Sequence, residues 1–174
     1  MATPLPAPRG PRPCVDPAAA FTYDGGVQSV TELISADPET TVETGRRIGR
    51  RLTAGAVLSL EGVLGSGKTT LVKGIAEALE IQEPVTSPTF TLVSQYEGRR
   101  EGRGLRLVHV DLYRINHAQE LEDLGLEELL AADAITIIEW GEKARPLLPP
   151  DAVTLRFELL AGGARRLLLQ GLDL

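Results

Sequence analysis

A three-layer α/β sandwich is the fold class this sequence predicts, with a central, mostly parallel sheet and antiparallel additions. Three consecutive observations predict it. Ala56-Val57-Leu58-Ser59-Leu60 is a short apolar run bounded by Gly55 and Gly62, the pattern of a strand buried on both faces. Next comes Gly62-Val63-Leu64-Gly65-Ser66-Gly67-Lys68-Thr69, which satisfies G-x-x-x-x-G-K-[ST] at every fixed position. Leu71, Val72, Ile75, Ala76 and Leu79 then recur at helical spacing, and Pro84 punctuates the end. A strand, a glycine-rich loop and a helix in that order make a P-loop NTPase-type sheet.

Each fixed position of the loop has a chemical duty. Its glycines let the backbone turn several N–H groups toward an anion, and the helix presents its positive N-terminal end to the same place. Lys68 is placed to reach the β- and γ-phosphates, and the Thr69 hydroxyl to ligate Mg²⁺.

The other elements follow along the 174 residues. Residues 1 to 22 carry Pro4, Pro6, Pro8, Pro11, Pro13 and Pro17 with few large apolar side chains, and read as a proline-rich disordered tail. A docking ligand for a proline-binding module is the other reading of that segment. Residues 23–174 then form one domain, a length that suits a single core. Val27 to Ile34 reads as a first strand. Asp37 caps a helix that starts at Pro38 and runs to about Leu52. Its Arg46, Arg47, Arg50 and Arg51 make a basic stripe, either a solvated face or a docking surface.

After the loop and its helix, the second half of Val85–Tyr96 alternates and is rich in β-branched and aromatic residues, so it reads as a strand. Gly98 to Gly104 reads as a polar loop and Leu105 to Leu112 as the next strand, together an antiparallel hairpin. Glu120 to Ala132 is acidic and helical, with a break at Gly125. Ala134 to Trp140 is a buried strand, and Pro146, Pro149 and Pro150 mark a turn. Val153–Leu159 and Arg165–Gln170, separated by Gly162-Gly163, form a terminal hairpin.

Two carboxylates qualify as partners of the loop by location. Asp111 closes the strand Leu107–Val110, and Glu139 closes Ile135–Ile138. Ligands of open α/β sheets lie beyond the carboxyl ends of parallel strands. An acid buried there needs a cation or hydrogen bonds to offset its desolvation. Asp111 and Glu139 are therefore, with Thr69, the candidate metal ligands, and with Lys68 the candidate catalytic set. Thr86-Ser87-Pro88-Thr89 supplies three hydroxyls on a segment that Pro88 keeps extended, a candidate γ-phosphate sensor or a plain polar turn. On chemistry alone Trp140, the single tryptophan, reads as core packing, and His109 as a structural residue of its strand.

Composition excludes several functions. A net charge of −6 argues against tight electrostatic binding of naked nucleic acid. No apolar run approaches the ~18 residues of a membrane span, and the N-terminus lacks a signal-peptide core. Cys14 is the only cysteine, so no internal disulfide forms, which fits a cytoplasmic setting. The only asparagine, Asn116, is followed by His117, so the N-K-x-D base reader of a GTPase is missing. A small-molecule kinase stays open, with Arg99, Arg100, Arg103 and Arg106 as candidate lid residues, and so does a non-hydrolysing module shaped by nucleotide.

These pieces in this order resemble the bacterial ATPase family TsaE, also called YjeE. The resemblance spans roughly residues 35 to 150. It is carried by Leu64-Gly65-Ser66-Gly67-Lys68-Thr69-Thr70, Ser87-Pro88-Thr89-Phe90-Thr91-Leu92-Val93, Asp111-Leu112-Tyr113-Arg114, Glu120-Leu121 and Glu139-Trp140. It implies ATP or ADP with Mg²⁺, nucleotide contacts from Gly65, Ser66, Gly67, Lys68, Thr69 and Thr70, and a switch at Ser87 and Thr89. It places Asp111 in the metal and catalytic site, and Glu139 and Trp140 beside the nucleotide. Thr41, in Thr41-Val42-Glu43-Thr44-Gly45, resembles the family's T-x-x-L-G helix start near the base, with Thr44 replacing the leucine. Val63 stands where the family carries an acid, G-D-L-G-[AS]-G-K-T. The resemblance further implies a part in threonylcarbamoyladenosine synthesis on tRNA, reached indirectly through the TsaB–TsaD pair, which slow ATP hydrolysis resets between rounds.

Overall fold

The computed structural model describes residues 21–23 and 30–174. Eight strands join in one sheet: β1 (Phe21–Tyr23), β2 (Val30–Ser35), β3 (Val57–Glu61), β4 (Val93–Arg100), β5 (Arg103–Asp111), β6 (Ile135–Glu139), β7 (Val153–Leu159) and β8 (Arg165–Gln170). Their spatial order is β1-β2-β8-β7-β3-β6-β5-β4. The four central strands, β7, β3, β6 and β5, are mutually parallel, and antiparallel pairs flank them on both sides. The expected parallel core with antiparallel additions is what forms. The terminal hairpin is more than an appendage, because β7 pairs in parallel with the strand that feeds the phosphate loop.

Four α-helices accompany the sheet: α1 (Pro38–Arg51), α2 (Lys68–Ala78), α3 (Ala118–Asp123) and α4 (Leu126–Leu130). Asp37 caps α1 as expected, accepting from Thr40 N at 2.7 Å. The strand period of two decides the layers. Leu58 and Leu60 of β3, Leu107 of β5, and Ile135 and Ile137 of β6 pack with Ile48, Leu71 and Ile75 of α1 and α2. Val57, Val108, Val110 and Ile138 face the other way, onto Leu121 of α3 and Leu126 of α4. Helices α1 and α2 cross at touching distance. A Cβ on Gly74 would collide with the Val42 carbonyl, and one on Gly45 with the Leu71 carbonyl. Gly45 and Gly74 thus let two backbones meet, and α2, which carries the loop's last two residues, gains a rigid backing.

Three boundaries differ from the sequence reading. Of residues 1 to 22, those up to 20 lie outside the described residues, and Phe21 and Thr22 already belong to β1. Residues 27 to 29 also lie outside them, so β2 is described from Val30. The expected loop Gly98–Gly104 is mostly strand: β4 and β5 pair from Val93↔Val110 to Arg100↔Arg103 and close through Glu101-Gly102 alone. Both residues hold positive φ, 50° and 78°, the type I′ geometry that suits hairpin twist. Glu-Gly is a rarer I′ pair than Asn-Gly or Asp-Gly, and hence a weak signal in sequence. Conversely, the expected strand start before Val93 is a tight turn, closed by Leu92 N donating to Pro88 O at 2.7 Å.

Candidate functional site

The carboxyl ends of β3, β5 and β6 open into a cavity of about 320 Å³. Leu64, Gly65, Gly67, Lys68, Thr69, Thr70, Ser87, Thr89, Asp111, Tyr113, Glu139 and Trp140 line it. The loop reaches its shape through Gly65 and Gly67, at φ 76° and 107°, values costly for any residue with a Cβ. Gly67 is the N-cap of α2, so the helix begins pointing into the cavity.

Lys68 is buried, and its Nζ donates to Gly62 O at 2.7 Å and Val63 O at 3.0 Å. Burial pulls its pKa below the usual lysine value, against the opposing pull of Glu139, Glu142 and Asp111. An anion in the cavity would offset that desolvation. The Lys68 ammonium also sits 4.1 Å from the centre of the Trp140 ring. Trp140 holds a left-handed φ of 61°, uncommon for a large side chain, as β6 gives way to a 3-10 helix over Gly141–Leu147. The tryptophan therefore belongs to the cavity wall, as the family resemblance implies, and not only to the core as its chemistry alone suggests.

The two strand-end acids face each other in register, Asp111 opposite Glu139. Their hydrogen bonds differ. Asp111 Oδ2 accepts from Ser87 Oγ at 2.5 Å and from Thr89 Oγ1 at 2.7 Å, while Oδ1 accepts from Tyr113 N at 2.9 Å. This acid is a clamp on the Ser87-Pro88-Thr89 segment. Glu139 Oε1 accepts from Thr69 Oγ1 at 2.7 Å and lies 3.0 Å from His109 Nε2. A threonine hydroxyl that donates to an acid keeps its lone pairs for a cation. Thr69 and Glu139 thus fit one edge of a Mg²⁺ site, and phosphate oxygens and water would complete it. Among the described residues no group of three or more His, Cys, Asp or Glu side chains is arranged to hold a metal alone. Asp111 fits direct ligation less well, because protein donors already occupy both of its oxygens.

The comparisons with known proteins bear on this geometry. The family model described as "Threonylcarbamoyl adenosine biosynthesis protein TsaE" matches residues 35–167. The chain belongs to the TsaE family. A Treponema pallidum TsaE is 40% identical over 134 residues, covering 77% of this chain and 96% of that protein. A Nostoc TsaE is 45% identical over 121 residues, covering 67% and 72%. The crystal structure of Bacillus subtilis YdiB superposes with a TM-score of 0.69 at 27% identity, covering 86% of this chain and 90% of that one.

Of the residues expected to contact nucleotide in this TsaE family member, Gly65, Gly67, Lys68, Thr69, Thr70 and Trp140 share the cavity. Ser66 is buried behind the loop and contributes backbone to it. Thr41 lies behind the phosphate loop. It is fully buried and does not line the cavity; its hydroxyl lies 2.6 Å from Ser35 Oγ and 3.1 Å from Asp37 O. Its methyl group packs under Gly67, so it supports the loop from behind. The candidate lid arginines are at the wrong end. Arg103 opens β5 and Asp111 closes it, which separates them by ~26 Å at strand rise. Arg100 instead donates to Leu52 O and Gly49 O, fastening the end of α1. The α1 stripe is partly paired, with Arg46 bonded to Glu43 and Glu77.

Two residues that brace the site escaped the sequence reading, and a third, His109, reads there only as structural. Lys143 Nζ donates to Leu112 O, Tyr113 O and Ile115 O at 2.9, 2.6 and 2.7 Å, tying down the turn after Asp111. Arg165, from β8, donates through Nε to Ser66 O at 3.1 Å. Neither has a local signal, since each partner is distant in sequence. His109 does have one: counting back two from Asp111 puts it on the same face of β5.

Proposed function

We propose that this chain binds ATP with Mg²⁺ and hydrolyses it slowly, in the service of threonylcarbamoyladenosine formation on tRNA. The observation that carries the reading is the Thr69–Glu139 contact beside Lys68. It joins the phosphate loop to a strand-end acid 70 residues away, in the arrangement a Mg-nucleotide requires. Lys68 exchanges its bonds to Gly62 O and Val63 O for β- and γ-phosphate oxygens. Gly65, Gly67 and Thr70 offer backbone N–H groups to the phosphates, and Trp140 closes one side. Thr69 and Glu139 hold Mg²⁺, which on binding neutralises charge developing on the phosphates. Asp111 keeps Ser87 and Thr89 at the cavity mouth, where their hydroxyls can sense the γ-phosphate. A segment held to Asp111 by two hydrogen bonds can be retained or released as that phosphate comes and goes.

The partner is the TsaB–TsaD pair, and tRNA is met only through it, in keeping with the negative net charge. Hydrolysis within that assembly resets it between rounds. Among the described residues no helix is long and apolar enough to cross a membrane, and the cytoplasm, where ATP and tRNA are, is the proposed location. Single-turnover hydrolysis of labelled ATP, with and without TsaB–TsaD, tests the proposal. Phosphate release that accelerates with the partners is expected. Nucleotide binding with no phosphate release in either arm would instead make the chain a nucleotide-gated docking module. Transfer of the label to a small metabolite would make it a kinase.

A further inference from the structure

We infer that His109 is a positioning residue for Glu139, a duty that rests on the proposed Mg-nucleotide reading. The ring is fully buried in β5, on the face it shares with Asp111 and, across the ladder, with Ile137 and Glu139. Its Nε2 lies 3.0 Å from Glu139 Oε1. An ionised carboxylate only accepts, so the ring donates through Nε2–H, which assigns the tautomer. Nδ1 is buried and has no hydrogen-bond partner among the described residues. A lone pair tolerates that position better than an N–H does, so the same tautomer follows from the other side of the ring.

Both bonds to Glu139 fall on Oε1, one from Thr69 and one from His109. They approach from different elements, α2 and β5, and so fix the carboxylate plane as well as its place. Oε2 takes no hydrogen bond from the described residues, and Glu139 lines the cavity. Thr69 alone would leave the carboxylate free to rotate about that single bond, because its own hydroxyl also turns. The rigid imidazole removes that freedom. Outer hydrogen bonds of this kind set the orientation of a metal-binding acid, and their loss typically costs about 10–100-fold in metal affinity.

The test titrates Mg²⁺ into the ADP-bound chain and follows emission from Trp140, the only tryptophan and a wall of the cavity. His109→Gln places an amide N–H where Nε2 stood; His109→Asn is one carbon too short; His109→Leu has no donor. The Gln variant is expected to keep the wild-type midpoint within about threefold, while Asn and Leu need about 10–100-fold more Mg²⁺. ADP affinity in chelator should be the same in all four proteins. Equal Mg²⁺ midpoints throughout, or a Gln variant as weak as Leu, would overturn the inference. A wild-type chain with no Mg²⁺-dependent step would overturn the metal reading itself and this inference with it. A second readout needs no foldable variant at position 109. The chain has two histidines, so imidazole ¹⁵N spectra of the wild type report the His109 tautomer directly. Nε2–H is expected, and Nδ1–H would overturn the inference.

Discussion

Two strand ends that look equivalent in sequence do different work. β5 ends in Asp111 and β6 in Glu139, and the two acids are register partners on one sheet face. Asp111 spends both oxygens on the protein, on Ser87, Thr89 and Tyr113 N. Glu139 receives both of its bonds on one oxygen, and one donor is the phosphate-loop hydroxyl. The first acid is thus a latch for the Ser87–Thr89 segment, and the second, on the proposed reading, a ligand that faces the cavity. The lesson is that a buried acid at the end of a strand declares its duty by how many of its lone pairs the protein already fills.

That division can be broken or sharpened by experiment. Lys68→Ala should have the largest effect, because it removes the charge both acids face. Loss of two charge-assisted bonds, ~3–4 kcal/mol, corresponds to a Kd for a non-hydrolysable ATP analogue raised by at least about 100-fold in calorimetry. Glu139→Gln should come next, lowering Mg-dependent turnover by about 100-fold while ADP binding in chelator persists. Asp111→Asn should act differently. Its amide must turn an N–H toward donors on one side, the two hydroxyls or Tyr113 N, at a cost of about 1–3 kcal/mol, so the amides of residues 87 and 89–92 should exchange faster with deuterium. Were Asp111→Asn to erase the Mg²⁺ dependence as Glu139→Gln does, the contrast between latch and ligand would fall.

Smaller effects lie outside the acid pair. Val63 is 55% exposed and takes part in the loop only through its carbonyl. The wild-type chain should therefore bind nucleotide, and Val63→Asp should change Kd by less than about fivefold, as an exposed charge does. A chain that binds measurably only after Val63→Asp would show that the family's acid supplies what the backbone does not. Asp37 tests the supporting layer. Its carboxyl is held below its usual value of 3.8 by hydrogen bonds from Thr40, first from the backbone and then from the side chain. A depressed acid adds stability that is complete above the unfolded value and disappears as pH falls through the folded one. Asp37→Ala should lower Tm at neutral pH, and the difference from wild type should shrink only as pH falls below 3.8, toward the lowered value of the folded carboxyl.

Much of this was legible in the chain because it depends on neighbours in sequence. The loop needs glycine at Gly65 and Gly67 for backbone reasons that hold before any tertiary contact, and Asp37-Pro38 starts α1 by itself. The hairpin loop reads as loop in sequence because Glu101-Gly102 is an uncommon turn pair, and Thr91-Leu92 read as strand although a turn closed by Leu92 N and Pro88 O, with Leu92 at φ 64°, displaces them. The hydroxyl of Thr41 turns to Ser35, a contact that only the packing of β2 against α1 creates.

The sequence by itself determined that a phosphate loop lies between a buried strand and a helix, and that two acids stand at strand ends. These follow from local backbone limits and from the periods of strand and helix. Only the tertiary structure decided which acid meets Thr69, that His109 shares the pair, and that Arg165 reaches the loop from the far end of the chain. The physical reason is strand order. Partners across a sheet are chosen by which strands lie side by side, and no period along one strand records its neighbour.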